Sequence, residues 1–357
     1  MVLTIGQLLQ PLVTGQELDK SDYQELLHIE LSYQQRARAF GVEANNAQEK
    51  VDARIKLFQQ VYAEVWQLCQ NLGFQDQKTV LTTLWNLWLP LAIWLASEKD
   101  KLNRPLIQGI LGGQGTGKTT LTTIIHLILE KLGYSSLGIS IDDIYKTYKD
   151  RKLLQQEDPR LVWRGPPGTH DVALGVELLD KLRQEDVTES VLVPRFDKSL
   201  WQGAGDRIEP EKIEKADIIL FEGWFVGTRP VEEKVFDNAP HPIITPADRD
   251  FAMVSNTRLQ EYLPLWDKLD RLIVLYPVDY RLSQKWRLEA EHKMIATGKT
   301  GMGDEEVNNF VEYFWKSLHP ELFITPLIQN PHLVDIVIEI QEDHSPGNIY
   351  QPKDTLN

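Results

Sequence analysis

The sequence predicts an α/β fold, a mostly parallel sheet with helices on both faces, preceded by an α-helical N-terminal region. Three observations predict it. Beyond Pro105, short apolar runs at residues 106–111, 137–141, 191–193, 218–221, 272–275 and 334–338 alternate with helical stretches, the pattern of βαβ units. Before it, residues 21–71 place Leu26, Ile29, Leu31 and Tyr33, then Ile55, Leu57, Val61, Val65 and Leu68, at three- and four-residue spacings among charged and amide side chains, the period of packing helices. Between the two, residues 97–104 (SEKDKLNR) are polar and end at Pro105. They mark a boundary, with 1–100 as the helical region and 101–357 as the sheet-bearing one.

The chain has 357 residues, enough for one large or two modest domains at about 150 residues each. With 42% hydrophobic and 25% charged residues, it has the composition of a soluble globular protein. Lys plus Arg number 38 and Asp plus Glu 52, so the net charge is 38 − 52 = −14. Such a balance repels a phosphate backbone and argues against a nucleic-acid partner. The most apolar window, residues 80–96, contains Thr82, Thr83, Asn86 and Pro90. It falls short of the roughly 20 uninterrupted apolar residues of a membrane span and reads as a buried helix kinked at Pro90. Cys69 is the only cysteine, so neither an intrachain disulfide nor a Cys-rich zinc site can form. The opening residues MVLTIGQLLQPLVTG lack a basic stretch before the apolar ones. The expectation is a cytoplasmic protein.

The run at 106–111 leads at once into Gly112, Gly113, Gln114, Gly115, Thr116, Gly117, Lys118 and Thr119, with Thr120 next. This is G-x-x-x-x-G-K-T between a strand and a helix, the phosphate-binding loop of P-loop NTPase-type sheets. Its glycines let backbone N–H groups turn inward around phosphate oxygens, and the helix beginning near Lys118 adds its positive end. The Lys118 ammonium reaches the β- and γ-phosphates, and the Thr119 hydroxyl is placed to ligate Mg²⁺. A Gly-rich turn with a chance Lys-Thr is the bland alternative, which the flanking strand and helix argue against. The loop therefore predicts a nucleoside triphosphate with Mg²⁺.

A second metal-side carboxylate belongs at the end of another strand of the same sheet. Glu222 follows the run at 218–221, with Gly223 allowing a sharp turn. The run at 137–141 ends in Asp142, Asp143, Ile144 and Tyr145, again at the edge where ligands collect in open α/β sheets. One aspartate there can accept the proton of an alcohol attacking the γ-phosphate. The bland reading is a helix cap or a solvated pair. Three polar, Gly-rich loops carry further cations: Arg164 with His170 and Asp171, Arg195 with Lys198, and Arg207 beside Gly203 and Gly205. Such clustering in an acidic protein suits an anionic or polyhydroxylated acceptor, although a lone loop Arg or His is as often structural. Residues 282–293 (LSQKWRLEAEHK) read as a helix whose Arg287 could close over the phosphates, or as a charged helix face.

The set GGQGTGKTT, SIDDIY, RGPPGTHD, VPRFDKS, GAGDR, LFEGW and KWRLEAE, in this order, resembles the D-glycerate 3-kinases of the plant and cyanobacterial type. These lie within the wider group of phosphoribulokinase, uridine kinase and pantothenate kinase. The resemblance runs from Pro105 to the C-terminal strand and takes in TGMGDEEVNNFV at residues 300–311. It implies a P-loop kinase domain over 101–357, with acceptor-binding loops and a lid. It also implies transfer of the ATP γ-phosphate to the 3-hydroxyl of D-glycerate, the closing step of the photorespiratory glycolate cycle. Carried over residue by residue, residues 112–120 hold ATP, Asp142 is the base, Glu222 is the Walker B carboxylate and Arg287 is the lid arginine. His170, Arg195 and Lys198 match positions that face the acceptor, and Asp143, Tyr145, Arg164 and Asp171, beside them in the same loops and strand end, are expected there on the reading of the residues. The partner expected is a small molecule, with neither nucleic acid nor membrane. Two readings stay open on the residues alone: a P-loop kinase of another alcohol, uridine- or pantothenate-like, and a nucleotide-dependent regulatory protein using the loop as a switch.

Overall fold

The computed structural model describes residues 4–184, 190–298 and 301–355. Its centre is a six-stranded sheet of β1 (Leu106–Gly112), β2 (Ser136–Ser140), β5 (Ile218–Gly223), β6 (Arg271–Pro277), β7 (Ile336–Ile340) and β8 (Pro346–Tyr350), in the order β2-β5-β1-β6-β7-β8. All neighbours are parallel except β7 and β8. Every residue of β1 is buried, as expected of a strand covered on both faces, and all but Gln108 are apolar or glycine. The register sets Ser140 of β2 and Ile110 of β1 beside Glu222. The carboxyl ends of β2, β5 and β1 thus meet at one edge of the sheet.

The run at 191–193 does not join this sheet. It opens β3 (Val191–Asp197), which pairs antiparallel with β4 (Asp206–Ile213) as a separate two-stranded ribbon. Val191 and Val193 are buried while Leu192 is 61% exposed, the alternation of a one-sided ribbon, and three residues are too few to show it. The periodic stretch 21–71 divides into helices Lys20–Ser32, Gln34–Ala39 and Ala47–Asn71. Gly41, at φ 66°, starts the break, and the Asn46 amide closes it by donating to the Gly41 carbonyl and accepting from the Glu43 N–H. Near Pro90 the helix widens into a π turn over Leu84–Trp88, with the Leu89 N–H donating to the Leu84 carbonyl. The ring of Pro90 supplies no N–H and crowds the carbonyl four residues earlier, so the distortion falls ahead of it.

One face of the sheet, with Leu106, Ile110, Ile218, Leu220, Ile273 and Leu275, shares a core with the N-terminal helices through Phe58, Val65, Trp85 and Leu91, and with helix Lys118–Lys131. The other face, with Ile107, Leu111, Phe221 and Val274, packs on Leu178, Leu265, Trp266 and Phe323. The stretch Gln77–Asp100 is long and apolar enough to cross a membrane, yet 72% of its apolar window is buried inside the protein. Within the N-terminal region Glu30 is fully buried and takes both Arg54 Nη atoms, at 2.7 and 2.8 Å. Glu30→Ala leaves Arg54 and Arg36 without their buried anion and is expected to cost about 3–5 kcal/mol. Urea unfolding of the variant checks this, and an unchanged midpoint would contradict it.

Candidate active site

The loop after β1 is shaped by its glycines. Gly115 and Gly117 have φ of 78° and 84°, and a Cβ on Gly115 would lie 2.6 Å from Cβ of Trp286. Only glycine suits both conditions. Thr116 braces the turn by donating to the Gly113 carbonyl at 2.9 Å. Helix Lys118–Lys131 begins here, and the Lys118 ammonium folds back onto the carbonyls of Gly112 and Gly113 at 2.7 and 3.0 Å. Burial lowers its pKa, against the opposing pull of Glu222 and Asp142. The three groups therefore sit in one another's field.

Thr119 Oγ1 donates to Glu222 Oε1 at 3.4 Å. The second oxygen of Glu222 is buried without a partner, and burial holds this carboxyl above the usual range despite Lys118. An orphaned carboxylate oxygen beside a threonine hydroxyl is a hard oxygen pair that suits Mg²⁺, whose remaining ligands are waters and phosphate oxygens. The residues present fit that ion.

Asp142 lies in the 3-10 turn Ile141–Ile144 that ends β2. Burial pushes its pKa up, but the Lys198 ion pair at 2.6 Å and the Tyr145 hydroxyl outweigh it, so the group is held below its ordinary value. Tyr145 is buried between His170, stacked at 4.4 Å, and Phe196 at 5.0 Å. A cavity of about 970 Å³ takes in Gln114, Gly115, Lys118, Thr119, Asp142, Tyr145, Arg164, Lys198, Glu222 and Arg287. Residues from six separate stretches of sequence are thus brought together. Arg287 reaches the cavity from helix Leu282–Ala296, paired with Glu291 at 2.5 Å and 5.5 Å over the Phe310 ring.

Four residues expected at the acceptor stand outside the cavity lining. Asp143 turns back to accept from the Ser140 N–H and pairs with Arg195 at 3.1 Å; Arg195 is held as well by Glu211 and the Gly138 carbonyl. Asp171 caps helix Val172–Leu182 and pairs with Arg207. His170 is 2% exposed, with Nδ1 2.8 Å from the Tyr262 hydroxyl. Burial lowers its pKa to about 3, outweighing Asp142, so it is neutral and supports Tyr145 from behind. Sequence reasoning missed Arg151, Trp163, Trp224 and Phe310 in the lining. Trp163 adjoins the motif that carries Arg164, and Trp224 and Phe310 lie within the stretches LFEGW and TGMGDEEVNNFV, whereas Arg151 lies in a charged helical stretch that gives no signal.

A phosphate loop on β1, a carboxylate at the end of β5 and an aspartate at the end of β2, converging on one cavity, define a P-loop kinase. No family model matches the chain. The chloroplastic D-glycerate 3-kinase of Arabidopsis thaliana is 32% identical over 307 residues, covering 78% of this chain and 65% of that protein, just under two thirds of its length. The probable ATP-dependent kinase TDA10 of Saccharomyces cerevisiae is 31% identical over 264 residues, 70% of this chain and 88% of that one. The D-glycerate 3-kinase structure from Cryptococcus neoformans matches with a TM-score of 0.66 at 28% identity, over 73% of this chain and 97% of that one. The chain belongs to the family of this yeast kinase, and it is similar to the D-glycerate 3-kinases.

Proposed function

We propose that the protein transfers the γ-phosphoryl group of ATP to the 3-hydroxyl of D-glycerate, giving 3-phosphoglycerate and ADP. The observation that carries this is the convergence of Lys118, Asp142 and Glu222 on one cavity, in a chain related to D-glycerate 3-kinases. The backbone of residues 112–117 cradles the phosphates, and Lys118 neutralises charge on the transferring group. Thr119 and Glu222 would hold Mg²⁺, which would offset phosphate charge. The acceptor oxygen forms its bond to the γ-phosphorus as the bond to the bridging oxygen breaks, and Asp142 takes the hydroxyl proton. Tyr145, Arg164 and Lys198 position the acceptor, while His170, Asp143, Asp171 and Arg195 act through the groups they hold. Arg287 closes over the phosphates.

The helical region 1–100 serves as a structural cover for one face of the sheet of 101–357. Cys69 is buried, which pushes its thiol up to about 11. An inert thiol suits the reducing cytoplasm proposed as its location, with photorespiratory salvage of glycerate as its setting.

The acceptor reading is tested by ADP release with Mg-ATP and D-glycerate, uridine or pantothenate. D-glycerate is expected to give the highest kcat/KM, and a better rate with either alternative overturns it. The Lys198 pair makes a separate pH prediction. Lys198→Met removes a cation that stabilises the charged form of Asp142 while burial still opposes it, so the Asp142 pKa rises. The acid limb of the kcat/KM profile is expected to move to higher pH. An unmoved limb would show that Lys198 does not tune Asp142.

A further inference from the structure

We propose that Arg151 and Arg164 form a carboxylate clamp that makes the acceptor site select hydroxy acids over neutral alcohols. The proposal rests on the acceptor reading above and extends it to a residue that no motif marks. Both guanidiniums line the cavity that holds Asp142 and Lys118. Every other buried or half-buried arginine among the described residues sits in an ion pair with a carboxylate. In a chain of net charge −14, two that do not, side by side in one cavity, require a reason.

Their existing contacts hold them in place without neutralising them. Arg151 Nη2 donates to the carbonyls of Ala204 and Gly205 at 2.8 and 2.5 Å, and Arg164 Nη1 donates to the Gly203 carbonyl at 2.6 Å. Both lie over the Phe196 ring, at 5.1 and 5.6 Å. Arg151 Nη1 is buried with no hydrogen-bond partner. The carboxylate whose field reaches Arg151, Asp206, is already taken by the N–H groups of Tyr148, Arg207 and the Trp201 indole. Burial and the neighbouring Arg164 both disfavour the charge on Arg151. A bound carboxylate would relieve that repulsion and give the orphaned Nη1 a charge-assisted hydrogen bond.

The clamp also lies at a useful distance from the reacting end. Arg151 is 5.8 Å from the centre of the Tyr145 ring, and the hydroxyl of that ring bonds to Asp142. One aromatic ring separates the cation from the base, a span suited to an acceptor whose carboxylate and reacting hydroxyl sit on one short carbon chain.

The test compares Arg151→Met, Arg151→Lys and Arg164→Met with the unaltered protein. Each is assayed with D-glycerate and with glycerol, which has a primary hydroxyl but no carboxylate, and ATP binding is measured by calorimetry. The Met variants are expected to raise KM for D-glycerate about 10- to 100-fold with a smaller change in kcat. The preference for D-glycerate over glycerol in kcat/KM falls with them, and Arg151→Lys recovers part of the loss. Should Arg151→Met fail to fold, seen as lost ATP binding, Arg164→Met carries the same comparison. An unmoved KM for D-glycerate, or parallel losses with both acceptors, overturns the clamp alone. Unaltered protein that prefers a neutral alcohol to D-glycerate overturns the acceptor reading and the clamp together.

Discussion

Asp142→Asn is expected to lower kcat with D-glycerate by about 10²–10⁴-fold while Mg-ATP affinity stays within about twofold. The amide keeps the size of the side chain and can still hydrogen-bond to Tyr145 and Lys198, so the turn Ile141–Ile144 that seats it should persist. What it loses is the capacity to take the hydroxyl proton and the negative charge that aligns the acceptor oxygen. Nucleotide binding is made chiefly by the loop at residues 112–119, which Asp142 does not build. Single-turnover kinetics with ATP in excess separates the two effects. A variant that phosphorylates D-glycerate near the unaltered rate would remove Asp142 from the chemistry and move the proton to solvent or another group.

Lys118→Met carries the second large effect, an expected loss of about 10²–10³-fold in kcat/KM for ATP. Methionine keeps the length of the side chain but not its charge. In the structure the ammonium rests on the Gly112 and Gly113 carbonyls within the fields of Glu222 and Asp142, poised to exchange those contacts for phosphate oxygens. Without it the loop keeps its glycine-determined shape but loses the cation that balances the transferring group. Initial rates over a range of ATP concentrations check this. Unimpaired kcat/KM would mean that the backbone and Mg²⁺ suffice.

The parts of this site legible in the sequence are those whose chemistry is local. A strand, a glycine turn and a helix start lie within residues 106–119, so Lys118 and Thr119 could be placed from spacing alone. Glu222 and Asp142 were legible because apolar runs end at them, and the strand order brings those ends together. The acceptor side was less so. Asp143, Asp171 and Arg195 carry the right charges but spend them on a turn, a helix cap and a hairpin, commitments that depend on partners far away in the chain. Arg151 is the converse. Its helical stretch reads as a solvated face, and only the tip of the hairpin β3–β4, folding over it through the Ala204 and Gly205 carbonyls, makes it part of the cavity. That hairpin was itself hidden, since β4 (DRIEPEKI) is mostly polar and has no buried residue.

The central claim is phosphoryl transfer from ATP to D-glycerate. It is tested most directly by ADP release from the purified protein with Mg-ATP, with and without D-glycerate, followed by identification of the product. Strong stimulation with 3-phosphoglycerate formed in step with ADP is the predicted result. ADP release indifferent to D-glycerate, or phosphate found on the 2-hydroxyl, would contradict the account.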